Sequence, residues 1–297
     1  VIVLMTGATG FLGSHLAKAL LWDGHKVVIL KRSSSDCSRI SEILPQLHTC
    51  DVDNDTWIEQ LEAYGAFDAI IHTATSYGRQ GESFAELVQA NVVFPLRLLE
   101  LAPRLGVSLF LNTDTFSRAP SVLPSHLSGY NLTKKQFLDW GKMLAQSSPL
   151  RFRNMRLEHV YGPFDRENKF VPFVIRSCLR QDGELALTAG EQRRDFIYVD
   201  DVVSAFRTVL TRTVDEEPFA EYEVGTGVAT SVRDFVMLVH KQTASRTKLC
   251  FGALPYADHE IMLSQASTSP LEKLGWSPQV GLAEGIRKIM EQEKTSR

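Results

Sequence analysis

Tyr130 and Lys134 stand four residues apart, a spacing that puts both side chains on one face of a helix, a turn from each other. A free phenol titrates near about 10, so it exchanges protons poorly at neutral pH. An ammonium beside it favours the phenolate and is expected to bring that value down toward the working range. Thr113, just past the apolar run Val107–Leu111, adds a hydroxyl that can donate to a developing oxyanion. Acid, cation and oxyanion donor together suit hydride transfer to a ketone, whose oxygen gains charge and must take a proton. Lys134 would also hold the ribose next to the hydride donor.

Such a set needs a hydride donor, and Val1–Leu20 supplies the candidate seat for one. The β-branched and apolar run Val1–Met5 ends at Thr6, and glycines follow at 7, 10 and 13. Apolar residues at helical spacing come next: Phe11, Leu12, Leu16, Ala19 and Leu20. The pattern predicts strand, tight glycine turn, helix. Backbone without side chains can approach a pyrophosphate, and the helix start favours its charge. Gly7, Thr9, Gly10, Phe11 and Leu12 are therefore the candidate cradle of a dinucleotide.

A second strand, Lys26–Leu30, leads into Lys31, Arg32 and Ser33 where the adenosine ribose is expected. An acid there would suit the 2′-hydroxyl of NAD, whereas basic groups suit the 2′-phosphate, so NADP(H) is the expected cofactor. Asp51 closes a further strand end and is placed to reach the adenine amino group. Phe67–His72 reads as a buried strand followed by Thr73, Ala74 and Thr75, small residues that let backbone lie against a cofactor, with Thr75 nearest the substrate. Ser83–Leu105 reads as a long helix interrupted at Pro95, on which Asn91 is expected to tie down neighbouring backbone. Gly129–Leu144 is the helix that carries Tyr130 and Lys134. Alternating strands and helices predict an α/β fold, a Rossmann-type doubly wound parallel sheet. Gly7, Thr73 and Thr113 each follow a strand and should converge at the carboxyl ends.

Beyond Pro149 the pattern loosens into short mixed elements, a smaller α/β substrate domain interleaved with the first. Residues 1–157 with parts of 190–230 are expected to form the NADP-binding domain, and 158–189 with 231–297 the nucleotide-sugar-binding domain. His159 follows a sheet strand and either contacts substrate or packs under the Tyr161-Gly-Pro turn. Lys169 opens a helix that would line the nucleotide pocket. Arg193 and Arg194 could match a diphosphate, because the guanidinium fork pairs with phosphate oxygens. One of Asp200 and Asp201 is explained by helix capping, and Ser231 is placed to cap another helix.

The 297 residues carry a net charge of −3 without basic or acidic blocks, which recommends neither nucleic acid nor a membrane surface as partner. No apolar run approaches the roughly 20 residues of a membrane span. The four cysteines lack metal-ligand spacing and suit reduced thiols in the cytoplasm; no metal is expected. The chain opens on Val1 inside a strand, which predicts a few upstream residues and no signal peptide.

Six ordered motifs resemble the extended short-chain dehydrogenase/reductase family, which acts on nucleotide sugars. They are TGATGFLG, His72-Thr-Ala, Thr113-Asp114, Tyr130-x-x-x-Lys134, Val160-Tyr-Gly-Pro163 and Arg194-Asp-Phe-Ile-Tyr-Val-Asp-Asp201. Further stretches, Phe110–Asp114, Asn154–Pro163, Thr188–Asp195 and Val224–Gly227, resemble the branch that reduces the 4-keto group of CDP-linked 3,6-dideoxyhexoses with NADPH. The resemblance implies Thr113, Tyr130 and Lys134 as the catalytic set, Arg194 aimed at the nucleotide sugar, and a homodimer built on the helices near 83–105 and 129–144. Family dehydratases carry Thr-Asp-Glu where this chain has Thr113-Asp114-Thr115, which leaves their acid/base pair incomplete. No cysteine lies between Thr113 and Tyr130, where epimerising reductases use one, and that segment is short. The expectation is a 4-ketoreductase of deoxysugar biosynthesis, as in lipopolysaccharide O-antigen formation. The alternatives are an epimerase with tightly bound NAD and a non-catalytic dinucleotide-binding protein.

Overall fold

The computed structural model describes residues 1–118, 127–212 and 217–295. In chain order the elements begin with β1 (Ile2–Thr6), α1 (Phe11–Trp22), β2 (Lys26–Lys31), β3 (His48–Asp51), α2 (Trp57–Tyr64), β4 (Ala69–His72), α3 (Phe84–Val88), α4 (Phe94–Leu101), β5 (Leu109–Thr115), α5 (Ser128–Ser147) and β6 (Arg151–Leu157). They continue with β7 (His159–Tyr161), α6 (Phe170–Arg180), β8 (Glu184–Leu187), β9 (Arg193–Tyr198), α7 (Val199–Arg212), β10 (Phe219–Val224), β11 (Ala229–Ser231), α8 (Val232–Gln242), β12 (Lys248–Phe251), α9 (Ser269–Lys273) and α10 (Leu282–Thr295).

Seven strands form one sheet in the order β10-β6-β5-β4-β1-β2-β3. β1 pairs in parallel with both β2 and β4, so the order reverses direction next to the strand that feeds the glycine turn. That reversal is the switch point at which a doubly wound sheet opens a crevice at its carboxyl edge. The expected Rossmann-type α/β fold is the one observed. Strands buried on both faces read as continuous apolar runs, as β1 and β4 do here. Leu4, Ile70, Phe110 and Phe152 are fully buried from the sheet, and Phe137 of α5 joins them. Each such side chain contributes about 1.5–3 kcal/mol through burial. α5 lies close on the sheet because position 141 is glycine: a Cβ there would sit 2.4 Å from the Phe152 ring. That approach holds the Tyr130–Lys134 face at the strand ends.

The chain separates into two compact units, Val1–Arg156 with Val203–Tyr222 and Leu157–Val202 with Glu223–Arg297. The stretch of 190–230 that joins the first unit is thus 203–222. The second unit holds a three-stranded sheet, β11-β9-β7, and a two-stranded one, β12-β8. Phe196 stacks on Phe235 at 4.6 Å in its core.

The long helix expected over Ser83–Leu105 differs in one respect. Its irregularity is a π turn at Gln89–Val93, one turn ahead of Pro95, which sits harmlessly in the first turn of α4. A capping box formed by Ser83 and Glu86 starts α3. Among the described residues no helix is long and apolar enough to cross a membrane, and all four cysteines are free.

Candidate functional site

The glycine turn is built for close approach. Gly7 has φ +72°, and a Cβ on it would lie 2.5 Å from the Ala74 nitrogen. A Cβ on Gly13 would lie 2.0 Å from the Gly7 carbonyl. The Gly10 N–H closes the turn on the Gly7 carbonyl at 2.9 Å. No side chain caps α1, and its first turn carries no acid. Its start therefore offers backbone donors and a favourable dipole without a competing carboxylate, which fits a pyrophosphate. Thr73 and Ala74 are stitched to β1: Thr73 Oγ1 donates to the Thr6 carbonyl at 2.8 Å, and the Ala74 N–H donates to Thr6 Oγ1 at 3.2 Å. Thr9, Phe11 and Leu12 lie in the same turn and helix start.

Thr113 and Lys134 meet directly. The Lys134 ammonium, buried under α5, donates to the Thr113 main-chain carbonyl at 2.7 Å. The Thr113 hydroxyl oxygen is itself buried and has no protein partner. A buried hydroxyl left unpaired costs about 1–3 kcal/mol, so this one fits an oxyanion supplied from outside the chain. Successive side chains on a strand point to opposite faces. Thr113 and Thr115 accordingly share the Tyr130 side, and the Thr115 hydroxyl hydrogen-bonds the phenol. Asp114 points the other way, where it accepts from Asn154 Nδ2 at 2.9 Å and pairs with Arg118 at 2.8 Å.

The electrostatics depart from the expected pairing. Lys134 lies over the Tyr130 ring, 5.9 Å from its centroid, and its ammonium donates to the Thr113 carbonyl. Burial pushes the phenol well above its ordinary value, with Tyr77 and Asp114 adding to the rise. The expected lowering by Lys134 is therefore not what this arrangement produces; desolvation wins. Lys134 itself is pushed down to about 8 by burial, against the pull of Asp114. A protonated phenol is the form that a proton donor must start from, so the shift suits the reductive direction.

Asn91 sits in the π turn and ties down backbone as expected. Its Oδ1 accepts from Ser76 N at 2.8 Å and from Thr75 Oγ1 at 3.2 Å. Its Nδ2 donates to the Ser76 carbonyl at 2.8 Å and to Thr133 Oγ1 at 3.0 Å. The Thr75 hydroxyl is thus engaged inside the protein. The loop so anchored carries Tyr77, whose ring lies 4.8 Å from that of Tyr130. Neither Tyr77 nor Thr115 is a sequence-level candidate. The period-two pattern of β5 was the available signal for Thr115; nothing in the spacing pointed to Tyr77.

At the expected adenosine end, Lys31 pairs with Asp51 at 2.5 Å across adjacent strand ends. Its charge and the Asp51 carboxylate are committed to each other. The N–H of Ser33 donates to Asp53 at 3.0 Å, and its hydroxyl donates to the same carboxylate. Arg32 is exposed.

In the second unit, Arg194 is buried and pairs with Glu260. Lys169 pairs with Asp165 at 3.0 Å. His159 is half-buried against Phe196, with Glu158 3.9 Å away, and burial pushes its imidazole below the ordinary value. Asp195 accepts from the N–H groups of Thr226, Gly227 and Ala266 and so organises the 225–227 turn. Asp201 accepts from Gln279 N and Val280 N and so ties that segment to the first turn of α7. Ser231 caps α8 as expected, accepting from Asp234 N at 3.0 Å. Among the described residues no cluster could hold a metal ion. Residues 119–126 of the short segment before Tyr130 lie outside the described residues.

Residues 3–225 match the model of the NAD dependent epimerase/dehydratase family. CDP-abequose synthase of Salmonella typhimurium is 38% identical over 291 residues, covering 97% of each chain. Among solved structures, MoeE5 in complex with UDP-glucuronic acid and NAD superposes with a TM-score of 0.82 at 27% identity, over 100% of both chains. The UDP-glucose 4-epimerase of Thermotoga maritima with UDP-glucose does so at 0.86 and 22% identity, over 100% of this chain and 99% of that one, a likeness of fold.

Proposed function

The chain belongs to the NAD-dependent epimerase/dehydratase family of the extended short-chain dehydrogenases/reductases, and from that premise we propose that it reduces the 4-keto group of a CDP-linked 4-keto-6-deoxy or 3,6-dideoxy hexose with NADPH. The observation that carries this reading is the buried, unpartnered Thr113 hydroxyl beside Lys134 and on the Tyr130 side of β5. The CDP-linked sugar rests on the identity to CDP-abequose synthase.

Gly7, Gly10 and the start of α1 would hold the pyrophosphate, and Lys134 the nicotinamide ribose. When bound, NADPH supplies the hydride that reaches the carbonyl carbon. Thr113 donates to the carbonyl oxygen and stabilises the charge that grows there. Tyr130 gives that oxygen its proton, and Thr115 steadies the phenol. Tyr77 and the loop clamped by Asn91 cover the phenol and keep water from it. Asp114 is turned away into ion pairs, and Thr115 stands where family dehydratases have a glutamate, so no carboxylate on β5 serves an elimination. Arg194, Lys169 and His159 are the second unit's candidates for the diphosphate and sugar. The exposed apolar side chains of Phe84, Trp140 and Met143 on α3 and α5 support pairing of two copies through these helices.

The test is incubation with NADPH and a panel of 4-keto nucleotide sugars with different bases. Stoichiometric loss of NADPH absorbance with formation of a 4-hydroxy product, fastest for a CDP sugar, is the expected result. Isomer interconversion without net NADPH consumption would establish the epimerase alternative instead.

A further inference from the structure

The loop after β4 presents a cation that no step of the proposed reaction uses. The Arg79 guanidinium lies over the Tyr77 ring, 5.6 Å from its centroid, and that ring lies 4.8 Å from the Tyr130 ring. Arg79 is exposed, and among the described residues no carboxylate pairs with it. The loop that carries it is firmly built. Asn91 holds the Ser76 main chain at both its N–H and its carbonyl, each at 2.8 Å. Glu82 accepts from Ser76 Oγ at 2.9 Å and from the Gln80 N–H at 2.7 Å, so the carboxylate nearest to Arg79 in sequence is engaged inside the loop. Gly78 turns at φ +68°, and a Cβ there would lie 3.0 Å from Leu87 Cδ1. The turn is thus seated on α3.

A cation without a counter-charge, held over an aromatic ring on an anchored loop, is prepared for an anion that arrives from outside the chain. The pyrophosphate of the dinucleotide already has its candidate seat at Gly7, Gly10 and the start of α1. The second unit's candidate cations are already neutralised, Arg194 by Glu260 and Lys169 by Asp165. We propose, resting on the nucleotide-sugar reading above, that Arg79 is a binding residue for the diphosphate of the substrate. In a hexopyranose, C4 lies across the ring from the anomeric carbon that bears the diphosphate. A C4 carbonyl at Tyr130 therefore leaves the anionic group one sugar ring away from the phenol. Arg79 stands at a comparable remove, with the Tyr77 ring linking it to Tyr130. Its charge reaches the phenol, where it acts against the rise that burial causes. A guanidinium held over a ring keeps its N–H donors, and their planar fork matches a pair of phosphate oxygens. The diphosphate so held fixes which end of the sugar faces Tyr130.

The experiment is calorimetric titration of the full chain, saturated with NADP⁺, with CDP, UDP and dTDP as probes. The wild type is expected to bind at least one of them. Arg79→Gln is expected to weaken that binding by roughly 10- to 100-fold, the worth of a charge-assisted hydrogen bond. Arg79→Lys should recover only part of the loss, since an ammonium keeps the charge without the planar fork. Affinity for NADP⁺, followed by tryptophan fluorescence, is expected to stay unchanged in both variants. Because Arg79 is exposed, their thermal midpoints should match the wild type. A diphosphate that binds Arg79→Gln as tightly as the wild type overturns the assignment, and so does a parallel loss of NADP⁺ affinity. A wild type that binds none of the three probes overturns it as well. Diphosphate binding that depends on Arg79, in a chain that consumes no NADPH with any keto sugar, would sink the reductase reading alone, so the two fail separately.

Discussion

The Lys134 ammonium is bonded to the main-chain carbonyl of Thr113 at 2.7 Å, which tethers the cation to a strand end instead of to the Tyr130 phenol. The cation and the proposed oxyanion donor are therefore held on one strand end. Tyr130 reaches the same place from the preceding helical turn, with Thr115 as its own partner.

Tyr130→Phe removes the proposed proton donor and little else, since the ring keeps its contact with Tyr77. Turnover is expected to fall by roughly 10²–10⁴-fold, with dinucleotide binding retained in a fluorescence titration. A variant that keeps wild-type turnover would exclude Tyr130 as the acid.

Activity is expected to decline on the alkaline side with a midpoint near 8, as Lys134 loses its proton. The sign follows from burial, which favours the neutral amine. The measurement is kcat/KM for the keto sugar across pH 6 to about 10. In Lys134→Arg this limb should vanish, because guanidinium does not titrate in that range. A profile flat through pH 9 in the wild type would contradict the assignment.

Gly13→Ala should disable the cradle, since its Cβ would fall 2.0 Å from the Gly7 carbonyl, a main-chain atom that cannot step aside cheaply. Overpacking of this kind costs about 1–3 kcal/mol of stability. Thermal unfolding and NADPH titration together check it, and unchanged affinity would count against a pyrophosphate seat here.

Cofactor choice is expected to rest on Arg32, because Lys31 is neutralised by Asp51. A charge-assisted contact is worth about 1.5–3 kcal/mol, so Arg32→Ala should lower kcat/KM for NADPH by roughly 10- to 100-fold and leave NADH almost unchanged. Lys31→Met should matter less. A wild-type preference for NADH would overturn the proposed NADP(H) specificity.

His72 is buried against Phe94, Phe110 and Phe137, and burial holds its imidazole well below the ordinary 6.5. The unfolded chain binds one more proton below that pH than the folded one does. Stability is therefore full above pH 6.5 and falls on acidification, by at most about 1.4 kcal/mol per pH unit. His72→Gln should flatten this acid slope in chemical unfolding; an equally steep slope would assign it to other groups.

The strand–turn–helix at 1–20 was legible because three glycines between two apolar patterns leave few alternatives. The Tyr130–Lys134 face and the clamp by Asn91 were legible too, the first from helical spacing and the second from a lone polar residue on an apolar helix. The partners of Arg194 and Lys31 were not: Glu260 and Asp51 lie 66 and 20 residues away in sequence, and no local pattern announces them. The direction of the Tyr130 shift was missed for a related reason. Spacing brings Lys134 alongside, whereas the depth of the phenol depends on Tyr77, which a loop anchored in another helix delivers.

The return of Val203–Tyr222 to the first unit bears on how the chain can be divided. A fragment ending at Arg156 would contain every residue of the proposed hydride-transfer centre and still lack β10, the neighbour of β6 at one end of the sheet. Its open backbone edge would invite self-association, and Arg118 and Asn154 would lose the Glu221 carboxylate that they share. Expression of residues 1–156 alone should thus give aggregated material, and any exchange of the second unit between relatives would have to carry three crossovers, at 156/157, 202/203 and 222/223.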